Sequence, residues 1–309
     1  MIDSSTRQKT METPLISICI PTYNRAEHLR KTLESIVSTP EFREGSDVEI
    51  VISDNCSPDD TGLVAQKYVS QYPDRIRYSR NETNIVDANF EKVLSLGRGE
   101  FLKLHNDTAV LHDASSLGKM IKVVRKAKKE RALPFFLNGY CKAQDDIVVD
   151  SLDRFIAETR YYCTWIGAFG LWRRDFLAMS DTMRRTYKTK LFQAWVLLDY
   201  IAQGNSMLIC NEQLFDVATV SKKGGYNIAE IFGHNYNVLL KTHYDQGNLS
   251  GKVYRKAKRD MVSFVNGYYF DKGGNYNFDK SGYFKWMLPF YKWNFYFYRK
   301  WLRTILKGK

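Results

Sequence analysis

Leu15-Ile16-Ser17-Ile18-Cys19-Ile20-Pro21-Thr22-Tyr23-Asn24 decides how this chain reads. An apolar run of this length is the pattern of a buried strand, and the proline followed by Thr-Tyr-Asn ends it in a polar turn. From Arg25 the spacing turns helical, with Leu29, Leu33, Ile36 and Val37 on one face. Strand, polar turn and helix make the opening unit of an open α/β sheet. The turn lies at the carboxyl end of its strand, where such sheets place ligands.

A second unit follows. Val48 to Ile52 is another buried-strand run, ending in Ser53-Asp54-Asn55-Cys56-Ser57-Pro58-Asp59-Asp60-Thr61, a cluster of turn and capping residues, before a helix over 63–72. An acid just past a second parallel strand can accept hydrogen bonds from a base or a ribose; Asp54 can equally organise an Asx-turn or cap a helix. Further on, the pattern predicts strands at 76–79 and 100–104 around a helix over 85–96, then a helix at 114–132 with a basic outer face. A strand at 135–140, a strand turning into a helix at 169–177, a helix at 191–202 and a strand at 207–210 complete the alternation. Alternating strands and helices imply a mostly parallel sheet with helices on both faces.

The stretches ISICIPTYNRAEHLRKTLESI, VEIVISDNCSPDDTG and IRYSRNETNIVDANFEKVLSLGRGEFLKLHND together resemble the nucleotide-sugar domain of family 2 glycosyltransferases, which have the GT-A fold. The resemblance covers roughly residues 14–115 and is nearest to the bacterial branch that builds surface polysaccharides, including abequosyltransferase-like enzymes. It implies an α/β, Rossmann-like sheet flanked by helices, a nucleotide-sugar donor, a lipid-linked or polymeric glycan acceptor, a divalent cation (Mn2+ or Mg2+) and inversion at the anomeric carbon.

The resemblance also assigns residues. Pro21, Thr22, Tyr23 and Asn24 fill the turn that packs on the nucleobase, and Asp54 matches the acid that binds the base. Asn84 matches an asparagine that lines the nucleotide, with Val86 where glycine is usual, and Lys92 falls where a basic residue contacts phosphates. The metal motif departs from the family pattern: His105-Asn106-Asp107 stands where D-x-D or D-D-D is expected. Asp107 keeps the ligating carboxylate; with His105 in place of the first acid, either the metal is held more weakly with a preference for Mn2+, or the site works with less metal dependence, or His105 only caps the strand end. The acid pair that opens a late helix in relatives falls on Phe192-Gln193, and a glutamine cannot act as a base. Asp181 and Asp199 are the substitute candidates. His234 and His243 are candidates to complete a metal site or to serve structure.

Composition sets outer bounds. The chain has 309 residues, a net charge of +12 and 14% aromatic residues. The charge points to an anionic partner, and no recognisable nucleic-acid module is present, so nucleic acid is not expected. Five scattered cysteines without a C-x-x-C pair argue against a disulfide framework and for a reducing, cytoplasmic setting. Residues 1–13 read as disordered and lack the apolar core of a signal peptide; no apolar run is long enough to span a membrane. The expected organisation is a GT-A domain over 14–220, with a nucleotide-sugar half at 14–112 and an acceptor half at 113–220. A helical aromatic and basic extension over 221–309 follows. Residues 283–309 hold eleven aromatic residues and seven Lys or Arg with no Asp or Glu. That tail suits the inner face of an anionic membrane, or packs its rings on the catalytic domain. Three functions compete: a glycosyltransferase, a non-catalytic nucleotide-sugar-binding module, and a nucleotidyltransferase. The last lacks its Gly-rich loop after the first strand.

Overall fold

The computed structural model describes residues 13–140, 146–218, 223–271 and 276–307. In chain order, β1 (Ile16–Thr22), α1 (Ala26–Val37), α2 (Pro40–Glu44), β2 (Val48–Asp54), α3 (Thr61–Gln71) and β3 (Ile76–Arg80) form the first units. Then come α4 (Ala88–Ser95), β4 (Phe101–Leu104), β5 (Ala109–Leu111), α5 (Ser116–Glu130), β6 (Ala132–Phe136), β7 (Ile147–Val149) and α6 (Leu152–Thr159). After them run β8 (Gly170–Trp172), α7 (Arg173–Thr186), α8 (Phe192–Ala202), β9 (Ser206–Cys210), β10 (Phe215–Val217) and β11 (Lys223–Asn227). A π-helical segment (Ala229–Asn235) leads into α9 (Tyr236–Asp245), α10 (Gly251–Tyr269), β12 (Tyr276–Asp279), α11 (Tyr283–Tyr291) and α12 (Phe295–Lys307).

The main sheet has the order β3-β2-β1-β4-β8, parallel except for β8 at its edge. Both faces of β1 and β2 are covered, so Ile16, Ile18, Cys19 and Ile20 are all buried together with Ile50, Val51 and Ile52. That two-sided burial is why these strands read as continuous apolar runs. A smaller sheet, β6-β9-β7, packs beside it, and Trp172 Nε1 donates to the Ala132 carbonyl between them at 3.0 Å. At the amino end of β1, Gly99 lies so close that a Cβ there would meet the Ser17 backbone nitrogen at 2.6 Å. Ser17 also donates to buried Glu49 at 2.6 Å, and Arg98 Nε does so at 3.0 Å.

Two features differ from the sequence reading. The strand expected at 135–140 is Ala132–Phe136, because Asn138 and Gly139 take positive φ (56° and 79°) and turn the chain. Asn138 Oδ1 then accepts from the Leu214 and Phe215 amides at 2.8 Å each. Short β5, β7 and β10 are three residues each, too short for a period to show. The Gly273-Gly274 break and Cys141 lie outside the described residues.

The tail divides its rings between inside and outside. Met287, Tyr291 and Phe297 are fully buried, and Tyr291 O–H donates to the Lys258 carbonyl at 2.9 Å. Trp293 and Phe295 are 90% and 80% exposed, and Leu302 and Leu306 also face solvent. No described helix is long and apolar enough to cross a membrane.

Candidate active site

The carboxyl ends of β1, β2 and β4 meet at one place. Register puts Thr22 opposite Asp54, and Cys19 opposite Leu104. Just beyond β4, Asp107 is held from two sides: Thr22 Oγ1 donates to its Oδ2 at 2.9 Å, and Thr32 Oγ1 of α1 donates to its carbonyl at 3.0 Å. Arg25 Nη1 stands 3.8 Å from Asp107 Oδ1. Burial pushes the Asp107 pKa up, with Arg25 and Thr22 pulling the other way.

The turn after β1 is stapled to the turn after β2. Asn24 takes φ 53°, and its N–H donates to Ser57 Oγ at 2.8 Å. The Arg25 N–H donates to Thr61 Oγ1 at 3.0 Å, and the Ala26 N–H to Asp59 Oδ2 at 3.1 Å. The start of α1 is thus capped by a side chain from the neighbouring loop instead of its own N-cap residue. Pro21 is partly buried in this turn, while Tyr23 is 44% exposed.

Asp54 is fully buried. Its Oδ1 accepts from the Ser57 N–H at 2.9 Å and from Ser57 Oγ–H; its Oδ2 accepts from Tyr78 O–H at 2.8 Å, with Arg80 Nη1 at 3.9 Å. Burial, then the Asp54 bond, push the Tyr78 phenol up to about 12. Both carboxylate oxygens of Asp54 are engaged inside the protein, an Asx-type organisation of the turn.

Asn84 Oδ1 accepts from Asn55 Nδ2 at 2.7 Å and from the Val86 N–H at 2.9 Å. Asn81 bridges onward to Asn55 at 3.2 Å and to buried Asn89 at 2.9 Å, so asparagines lash loop 81–87 to the end of β2. Val86 is held at φ 52°, a left-handed conformation unfavourable for a β-branched residue. Lys92 is exposed on α4 and makes no ion pair among the described residues.

His105 turns into the fold. Its Nε2 lies 2.9 Å from the Ala109 carbonyl, and its ring meets Phe215 edge-on at 5.1 Å. Burial, and next the nearby Lys103 charge, lower its pKa to about 3. It is therefore neutral, and Nε2 carries the hydrogen that it donates. Lys103 is itself fully buried, donating to the Leu104 and Gly167 carbonyls at 2.6 and 2.5 Å; burial pushes it down to about 7. Among the described residues no three His, Cys, Asp or Glu gather as a metal cluster. The fit to a divalent cation is thus one carboxylate, Asp107, with His105 Nε2 committed elsewhere.

The remaining candidates lie apart from this network. Asp181 is 84% exposed on α7 and pairs with Arg184 at 3.4 Å. Asp199 on α8 has burial raising its pKa and lies 3.5 Å from His243 Nε2. Neither bonds to Thr22, Asp54 or Asp107. Gln193 opens α8 as the resemblance implies; its Nε2 donates to the Thr164 carbonyl at 2.5 Å, and its Oε1 is buried without a partner. His234 packs against Trp286 and Phe290 under the tail. Sequence reasoning did not single out Arg25, Thr32 or Tyr78. A basic residue directly after the Thr-Tyr-Asn turn was the available signal for Arg25.

Nine of the candidates, Pro21, Thr22, Tyr23, Asn24, Asp54, Asn84, Lys92, His105 and Asp107, fall in one continuous segment. Residues 17–140 match glycosyl transferase family 2. The chain is 39% identical over 105 residues to abequosyltransferase RfbV of Salmonella typhimurium, covering 33% of this chain and 31% of that protein. It is 35% identical over 106 residues to GalNAc(5)-diNAcBac-PP-undecaprenol beta-1,3-glucosyltransferase of Campylobacter jejuni, covering 33% of each. The chain therefore matches about a third of the length of these relatives. Structural likeness reaches beyond the family 2 segment. The S. aureus TarS 1–349 structure with UDP-GlcNAc aligns over 95% of this chain and 80% of its own, with TM-score 0.55 at 14% identity. Mannosyltransferase PcManGT from Pyrobaculum calidifontis, solved with GDP-Man and Mn2+, aligns over 96% and 87% with TM-score 0.53 at 12% identity. At these identities the likeness establishes the shared GT-A fold.

Proposed function

We propose that this chain transfers a sugar from a nucleotide-sugar donor to a lipid-linked or polymeric bacterial glycan, with inversion at the anomeric carbon. The observation that carries the reading is the buried Asp107 carboxylate, fixed by Thr22 and faced by Arg25, within the family 2 segment. Tyr23 offers an exposed ring to a nucleobase, and the loop held by Asn84 flanks the turn. Arg25 supplies positive charge next to the place where a diphosphate would leave, the kind of preorganised electrostatics that favours group transfer. Asp107 is the residue that would hold Mn2+ or Mg2+. Such a cation, when bound, would offset the charge of the leaving diphosphate. His105 serves instead as a neutral strut between β4 and β5.

The exposed Trp293 and Phe295 beside Lys292, Arg299 and Arg303 support contact with the inner face of an anionic membrane, where a lipid-linked acceptor would be met. Sedimentation with anionic liposomes that weakens as salt rises tests this contact; salt-independent sedimentation contradicts it.

Gln193 favours one other reading, a module that binds nucleotide sugar without turning it over, because an amide tied to Thr164 stands at the family's acid position. Release of nucleoside diphosphate from a panel of UDP-, GDP-, CDP- and dTDP-sugars, supplied with a glycan-lipid extract, separates the two. Release that depends on acceptor supports transfer. Binding without release supports the module.

A further inference from the structure

A cavity of about 480 Å³ opens at the amino end of the main sheet, at the other end of β4 from Asp107. Leu94, Leu102, Trp172 and Phe176 wall it, all buried in the fold, and Leu177 stands beside it 77% exposed. Its size is in the range that takes a small organic ligand, and mostly apolar walls with a few polar groups are what such sites share. None of these residues belongs to the candidate active site.

The charges at the cavity are one-sided. Arg98, Lys128, Arg131, Arg173 and Arg174 line it against one carboxylate, Glu100. Three of the cations are already matched: Arg98 to Glu49 at 3.0 Å, Lys128 to Glu100 at 2.6 Å, Arg174 to Asp175 at 3.3 Å. Arg131 and Arg173 make no ion pair among the described residues. Arg173 is held to the wall by its Nε bond to the Gly97 carbonyl at 3.2 Å. Arg131 follows α5 directly at φ 55°, a left-handed helix-ending position where glycine is unstrained and a residue with a Cβ is not. A strained position that keeps a long cationic side chain is a reason to look for what the cation meets.

We propose that this cavity binds a single-chain amphiphile with a carboxylate or phosphate head. The chain lies along Trp172, Phe176 and Leu177, and the head is taken by the Arg131 and Arg173 guanidiniums, whose planar donor forks match either anion. The site is separate from donor binding and stands whether or not the chain is a transferase.

Calorimetric titration of the full chain with decyl phosphate and with decanoate, each below its micelle concentration, tests this. The expected result is saturable single-site binding of at least one of them. Decanol should bind at least about tenfold more weakly, and inorganic phosphate should not bind measurably. The double variant Arg131→Gly/Arg173→Gln should weaken binding by at least about tenfold, and Ser95→Trp, which fills the cavity from its rim, should do the same. Arg131→Gly relieves the positive φ, so it is expected to fold, and a wild-type circular-dichroism spectrum with a single cooperative urea-unfolding transition confirms that each variant is intact. Absence of saturable binding, unchanged affinity in the double variant, decanol binding as tightly as decyl phosphate, or inorganic phosphate binding equally well would each overturn the assignment.

Discussion

Thr22 Oγ1 donates to Asp107 Oδ2 across 2.9 Å, which joins the carboxyl ends of adjacent strands β1 and β4. Because Asp107 is only 8% exposed, its carboxylate depends on this hydroxyl and on Arg25 for compensation. Thr22→Val keeps the shape and removes the donor. It should cost about 1.5–3 kcal/mol of stability in urea unfolding, the range for a hydrogen bond to a charged group. Donor affinity should fall with it, and Thr22→Ser should restore both. Wild-type stability in Thr22→Val would show that the bond is not formed.

Asp54 gives the second prediction. Three donors from Ser57 and Tyr78 engage its two oxygens and the Arg80 guanidinium faces them at 3.9 Å, so Asp54→Asn leaves donors mismatched and a cation unpaired. Loss of about 1.5–3 kcal/mol in stability is expected, together with weaker nucleotide binding. If calorimetry found weaker binding with stability unchanged, Asp54 would be a base ligand with no share in organising the turn.

These two aspartates also show what the sequence makes legible. β1, β2 and the turns after them were readable because strands buried on both faces leave unbroken apolar runs, and because Ser57, Asp59 and Thr61 are turn and capping types. What those side chains bond to was not readable. Asp59 caps α1, on the neighbouring unit, and Thr32 reaches Asp107 across 75 positions of sequence. His105 is the clearest case: its identity fits a metal ligand, and only the Ala109 carbonyl and the Phe215 ring show where the imidazole is spent. The tail's aromatic richness likewise carried no sign of which rings enter the core, as Tyr291 and Phe297 do, and which remain outside, as Trp293 does.

Val86 supplies a stability gain. It is 60% exposed and sits at φ 52°, so it has little burial to lose and left-handed strain to relieve. Val86→Gly should be stabilising by up to about 1 kcal/mol, since the strain of 1–2 kcal/mol exceeds the entropy cost of glycine. Thermal unfolding that shifts downward in Val86→Gly would contradict the strained assignment.

Two buried basic side chains, His105 and Lys103, set the pH response. His105 titrates at an ordinary value of 6.5 when unfolded and about 3 when folded, so between these the unfolded state binds more protons. Stability is therefore lost as pH falls from about 6.5 toward 3, by up to about 1.4 kcal/mol per unit for this group. Lys103 follows the same sign higher up, from 10.5 unfolded to about 7 folded, so it adds stability as pH rises from 7 to 10.5. Urea unfolding at a series of pH values should show both slopes, and Lys103→Met should flatten the upper one. A Lys103→Met profile parallel to wild type above pH 7 would place the Lys103 ammonium in solvent.

The central claim is that the end of β4 receives a nucleotide-sugar donor, and calorimetric titration of wild type and Asp107→Asn with UDP-, GDP-, CDP- and dTDP-sugars tests it most directly, each in Mn2+ and in EDTA. The account predicts saturable binding of at least one donor class, loss of at least about tenfold in Asp107→Asn with the fold intact, and weaker binding in EDTA. Donor binding unaffected by Asp107→Asn, or no binding of any donor to the wild-type chain, would contradict it.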